Sequence, residues 1–164
     1  MKPLIVLISV FIGTLFVRKI FRGHYDFAYA GRTALSAMLL FTAIGHFAYT
    51  EGMAMMLPEF IPFKTEVVYM TGVIEIVAAI GLFIPNFRII TGWLLILFFI
   101  LILPANIYAA LKHIDYQQAN FNGNGPVYLW FRVPLQILFI VWTYIFAIKA
   151  DIVTPGRHSF FIFI

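Results

Sequence analysis

The chain has 164 residues, of which 63% are hydrophobic and only 11% charged, whereas a soluble domain is about half apolar and about a quarter charged. It is therefore an integral membrane protein, and at ~20 residues per span it has room for short loops but not for a separate soluble domain. The net charge of +4 comes from a few residues beside apolar runs, a pattern of orientation and lipid contact that excludes nucleic acid as a partner.

Five apolar runs follow one another. The first, PLIVLISVFIGTLFV from Pro3 to Val17, is stopped by Arg18, Lys19 and Arg22. A signal peptide carries its positive charges before the apolar region, so the run is expected to be a retained span. The second is Thr33 to Tyr49 and the third Val67 to Ile84. The fourth, Ile89 to Leu111, contains Pro104, and the fifth, Val127 to Ile148, contains Arg132 and Pro134. Both prolines should kink their helices and free carbonyl groups, which Asn106 and Gln136 are placed to satisfy. The expected organisation is an N-terminal span and basic loop over 1–31, a four-helix membrane domain over 32–149 and a tail over 150–164. The tail's last segment, SFFIFI, is expected to rest on the membrane or a partner.

Charge gives an orientation. With the N-terminus outside, the cytoplasmic side holds Arg18, Lys19, Arg22, Arg32, Arg88, Lys149 and Arg157, and the other side Lys2, Lys64, Lys112 and Arg132. The excess of cations favours the first side as cytoplasmic.

The third run, nearly all hydrocarbon, contains Glu75. An isolated carboxylate in lipid is costly and calls for a partner, a cavity or a proton path. At ~1.5 Å per residue, Glu75, Arg132, Gln136, His46 and Asn106 all fall in the outer half of the bilayer. Glu75 shares a face with Thr71, Gly72, Ala78 and Ala79, small residues that let another helix approach. Glu75 and Arg132 are expected to lie within side-chain reach. Two readings stay open: hydrogen-bonded glue between helices, or a ligand site.

Other features have plainer readings. Met53, Met55 and Met56 could offer soft thioether ligands to copper(I), but a hydrophobic re-entrant loop explains them better, and no metal is expected. His46 and His113 would suit a haem only if both faced one cavity. Tyr25, Tyr49, Trp93, Tyr128 and Trp130 read as interfacial anchors. The absence of cysteine excludes thiol–disulfide exchange and cysteine-ligated iron–sulfur clusters on this chain.

The segments IGHF at Ile44 to Phe47, TGVIEIVAAIGLFIP from Thr71, LPANIYAAL from Leu103 and WFRVPLQ from Trp130 resemble the DoxX family of small bacterial membrane proteins. The resemblance implies an all-α polytopic bundle with a four-helix core, to which Pro3 to Val17 adds a fifth span. It places the family's recurrent polar positions on His46, Glu75, Asn106, Arg132 and Gln136. It also implies a bacterial cytoplasmic membrane location and, by analogy alone, a redox-linked role. The expected function is an accessory subunit of a membrane complex, with other subunits as partners. The alternative is a quinone-binding or lipid-binding protein with an outer-leaflet pocket, quinone being the candidate cofactor. No residue is assigned a catalytic role.

Overall fold

The computed structural model describes residues 2–153; Arg157 and the expected membrane contact of SFFIFI lie outside the described residues. All regular structure there is helical: α1 (Lys2–Arg22), α2 (Phe27–Ala48), a short α3 (Thr50–Met55), α4 (Lys64–Gly81), α5 (Pro85–Leu111), α6 (Leu129–Thr143) and α7 (Ala150–Val153). A 3-10 turn, Pro126–Tyr128, leads into α6, and a π-helical segment, Tyr144–Lys149, joins it to α7. Four helical stretches are long and apolar enough to cross a membrane: α1, α2, α5 and the run from Pro126 to Ile152. The shorter α4 is set apart from them by Lys64, Glu66 and Glu75.

The boundaries depart from the apolar runs because charged residues near helix ends are helical too. Arg18, Lys19 and Arg22 extend α1 to 21 residues, and α2 begins at Phe27, six residues before the run that marks it. Asp26 starts α2 by accepting the Tyr29 backbone N–H at 3.0 Å, a carboxylate cap that satisfies one of the four free N–H groups at a helix start. The segment expected to be loop up to residue 31 is thus mostly helix.

Antiparallel neighbours α1, α2 and α4 pack in sequence, and α5 packs against α6 and the π segment. Leu35, Leu39, Leu82, Leu95 and Phe139 form the centre of the core. Close approaches depend on glycine. A Cβ at Gly31 would run into the Phe146 ring, and one at Gly92 would lie 2.7 Å from Ile148 Cγ1. The π segment widens the turn so that the consecutive residues Ala147 and Ile148 are both fully buried.

The basic end of the bundle is closed by one carboxylate. Asp151 accepts from Arg88 Nη1 at 2.7 and 2.8 Å and from Arg32 Nη1 at 3.2 Å. Arg32 also donates to the Phe146 carbonyl at 3.3 Å and Arg88 Nε to the Leu82 carbonyl at 3.0 Å. Both arginines are buried, so neither reaches out to water as an ordinary flanking charge does. Residues 150–153 form α7, which carries in Asp151 the counter-charge for α2 and α5.

Replacing Asp151 with Asn leaves two buried guanidinium groups without a full counter-charge, at an expected cost of about 3 to 5 kcal/mol. Chemical unfolding in detergent should show that loss, whereas Glu59→Gln in the exposed loop should stay within about 0.5 kcal/mol of the parent. A second expectation concerns acid. Burial raises the affinity of Asp26 for a proton, but the Tyr29 N–H, the Arg18 hydrogen bond and the charges of Arg18 and Arg32 outweigh it and hold the carboxyl below the usual aspartate range. A carboxyl depressed on folding contributes stability that is full above its unfolded pKa and is lost as pH falls through its folded one. Asp26→Asn should therefore flatten the acid limb of the melting midpoint below the usual aspartate range and leave the slope near neutrality unchanged.

Candidate functional site

His46 lies in the last turns of α2 and faces α4 where Gly72 permits contact; a Cβ added at Gly72 would sit 3.0 Å from His46 Cβ. One turn along α4, Glu75 places Oε2 3.5 Å from His46 Nε2. The other ring nitrogen, Nδ1, is 3.1 Å from the Thr71 hydroxyl oxygen. That hydroxyl donates to the Val68 carbonyl at 2.8 Å, so it accepts from His46 Nδ1–H. The network therefore assigns the tautomer and leaves Nε2 facing the carboxylate. A proton between them can sit on Glu75 as a carboxylic acid donating to Nε2, or on His46 as an imidazolium beside the carboxylate. Both states are chemically open to a carboxyl and an imidazole that face each other in an apolar bundle.

Thr42 lies beside Glu75, but its hydroxyl donates to the carbonyls of Met38 and Leu39 at 3.1 and 3.0 Å. Glu75 Oε2 is buried without a hydrogen bond, and so is Arg132 Nε. The expected Glu75–Arg132 ion pair is not formed. Arg132 acts on Glu75 only as a nearby charge, and the carboxylate's close ionisable neighbour is His46.

The other two sequence candidates bond to backbone carbonyls. Gln136 Nε2 donates across the bundle to the Phe99 carbonyl at 2.6 Å. Pro134 frees the carbonyl four residues before it, at Trp130, so the expectation that Gln136 serves its own helix is corrected: it ties α6 to α5. Asn106 Nδ2 donates to the Ile102 carbonyl at 3.1 Å, whereas the carbonyl freed by Pro104 belongs to Ile100. Asn106 is thus a local bond within α5, not the repair of the kink.

Next to the His46 end of the site, a cleft of ≈430 Å³ is lined by residues including Phe47, Thr50, Glu51, Tyr69 and Tyr116. Phe47 and Tyr69 stack at 5.8 Å between ring centroids, and Tyr49 meets Tyr116 edge-on at 6.0 Å. The loop after α5 docks there because Gly52 lets the Tyr116 carbonyl approach α3. Met53 and Met55 belong to α3, and among the described residues no group of three His, Asp or Glu side chains could hold a metal ion.

Sequence reasoning missed Thr71 as the partner of His46. Its signal was present: a hydroxyl residue four positions before Glu75 lies on the same helix face.

A helical bundle with four membrane-length apolar helices, and a buried carboxylate beside a half-buried imidazole, defines a class, that of helical membrane proteins. Within that class, residues 35–147 match the family described as domain of unknown function DUF8561, and the chain belongs to that family. The match contains all five polar candidates but neither α1 nor Asp151. No curated protein and no solved structure matches the chain.

A double-mutant cycle should separate the two charge neighbours of Glu75. Glu75→Gln with His46→Gln is expected to depart from additivity by about 0.5 to 3 kcal/mol in detergent unfolding, and by more than Glu75→Gln with Arg132→Gln, because only the first pair is in contact. Equal coupling in the two cycles would contradict the pairing described above.

Proposed function

We propose that this protein is a five-span, DoxX-like subunit of a bacterial membrane redox assembly and that it holds a quinone-type ligand at His46, Glu75 and Arg132. The supporting observation is that two buried atoms, the acceptor Glu75 Oε2 and the donor Arg132 Nε, make no hydrogen bond, although Oε2 lies 3.5 Å from His46 Nε2. Buried polar groups in hydrocarbon are ordinarily paired, and a pair of complementary unpaired ones fits a polar ligand head better than glue. A quinone carbonyl can accept from Arg132 Nε and a quinol hydroxyl can donate to Glu75. The chain's own part is to bind that head and to hold a proton at His46 Nε2 or Glu75 Oε2, with Thr71 fixing the imidazole. When bound, the quinone supplies the electron chemistry, and a partner subunit exchanges electrons with it.

In this reading α4 is the fifth span. Its 18 residues reach ~27 Å, near the ~30 Å hydrocarbon thickness. Lys19 and Arg22 at the end of α1 support an N-terminus outside and a cytoplasmic basic end. The cluster then lies nearer the outer surface, and the cleft beside Phe47 and Tyr69 gives a polar approach to it.

The test is a titration of the purified protein with a short-chain quinone alongside thermal unfolding. His46→Gln and Glu75→Gln are expected to weaken binding about tenfold or more, equivalent to ~1.4 kcal/mol or more. Gln136→Ala should lower the melting midpoint and leave binding unchanged, since its amide serves Phe99. A wild-type protein that binds no quinone, or one that binds equally after Glu75→Gln, overturns the reading.

A further inference from the structure

At the basic end of the bundle, away from His46 and Glu75, α1 and α2 leave a groove between them. Among the residues of α1, only Leu7 is fully buried, and a Cβ built on Gly13 meets nothing within 4 Å. The resulting cleft of ≈450 Å³ is lined mainly by apolar surface, from Val10 through Gly13 and Val17 to Arg18 and Tyr29. From Val10 to Arg18 it runs ~12 Å along the helix, within the ~15 Å depth of one leaflet's hydrocarbon.

We propose that this groove seats one anionic glycerophospholipid, with an acyl chain along Val10, Gly13 and Val17 and the phosphate at Arg18, Lys19 and Arg22. Volume and charge both point to a lipid. A further helix of ~10 Å diameter and the same length would need roughly twice the space available. The Arg18 guanidinium bonds to Asp26 and lies 4.1 Å from the Tyr29 ring centroid, yet its Nε is buried without a partner. Lys19 bonds only a carbonyl, that of Gly23, and lies over Tyr25. Arg22 is exposed. With Asp26 offsetting one of these three cations, an excess of positive charge remains where a lipid phosphate would sit, and an oxygen of the headgroup or glycerol ester could accept from Arg18 Nε. The site does not depend on the quinone reading.

The full chain is reconstituted in nanodiscs of equal phosphatidylglycerol and phosphatidylcholine with matched acyl chains, and retained lipids are weighed by native mass spectrometry. The expected result is one phosphatidylglycerol retained in preference to phosphatidylcholine. Gly13→Phe, which fills the groove from an open position, should lower that retention about tenfold at an unchanged melting midpoint. Lys19→Gln with Arg22→Gln should bring the two lipids to parity while one lipid stays bound. The proposal is overturned if the parent shows no headgroup preference, or if a folded Gly13→Phe protein retains as much lipid as the parent. Should Gly13→Phe not fold, the Lys19→Gln, Arg22→Gln protein decides alone: an unchanged lipid ratio overturns the proposal and parity upholds it.

Discussion

One carboxylate, Asp151, serves two buried arginines, and the arrangement of three helices depends on it. Arg88 at the start of α5 and Arg32 in the second turn of α2 are both held by α7. Two guanidinium groups in an apolar setting repel each other and cannot shed their charge, so the chain must return to the same end of the bundle with a counter-charge. The π segment brings α7 there. Its widened turn also presents the Phe146 carbonyl to Arg32 and lets Ala147 and Ile148 pack against α5 at Gly92.

The opposite half of the bundle is built differently. Its helices are tied by neutral bonds, Gln136 to Phe99 and, nearer the middle, Ser36 to the Ala79 carbonyl at 3.0 Å. Neutral hydrogen bonds hold helices together without placing a charge in hydrocarbon. Against that background Glu75 and Arg132 stand out, because each keeps a buried polar atom unpaired. At one end Arg32, Arg88 and Asp151 are paired with one another, whereas in the other half two buried polar atoms make no hydrogen bond.

Much of this was legible in the sequence. The apolar runs mark α1, α2, α4, α5 and α6, because a helix in lipid must be apolar over most of its length. The same constraint makes polar residues conspicuous, so His46, Glu75, Asn106, Arg132 and Gln136 could be singled out by depth and helical spacing. Less visible were Arg32, Arg88 and Asp151, which look like ordinary flanking charges at the ends of apolar runs. Hydropathy cannot separate a charge that snorkels to water from one that folds back onto a partner.

By itself, then, the sequence determined the helical membrane class and the set of polar residues that had to be accommodated. Tertiary structure alone decided how those residues pair. Spacing along one helix gives a depth and a face, but the partner comes from another helix, and its rotation and close approach depend on contacts far apart in the chain. Gly72 against His46 turns Glu75 toward an imidazole instead of Arg132. Gln136 crosses to Phe99 rather than serving the proline beside it. Asp151, placed by sequence in a tail, becomes the counter-charge of α2 and α5 only because the chain returns to them more than sixty residues after Arg88.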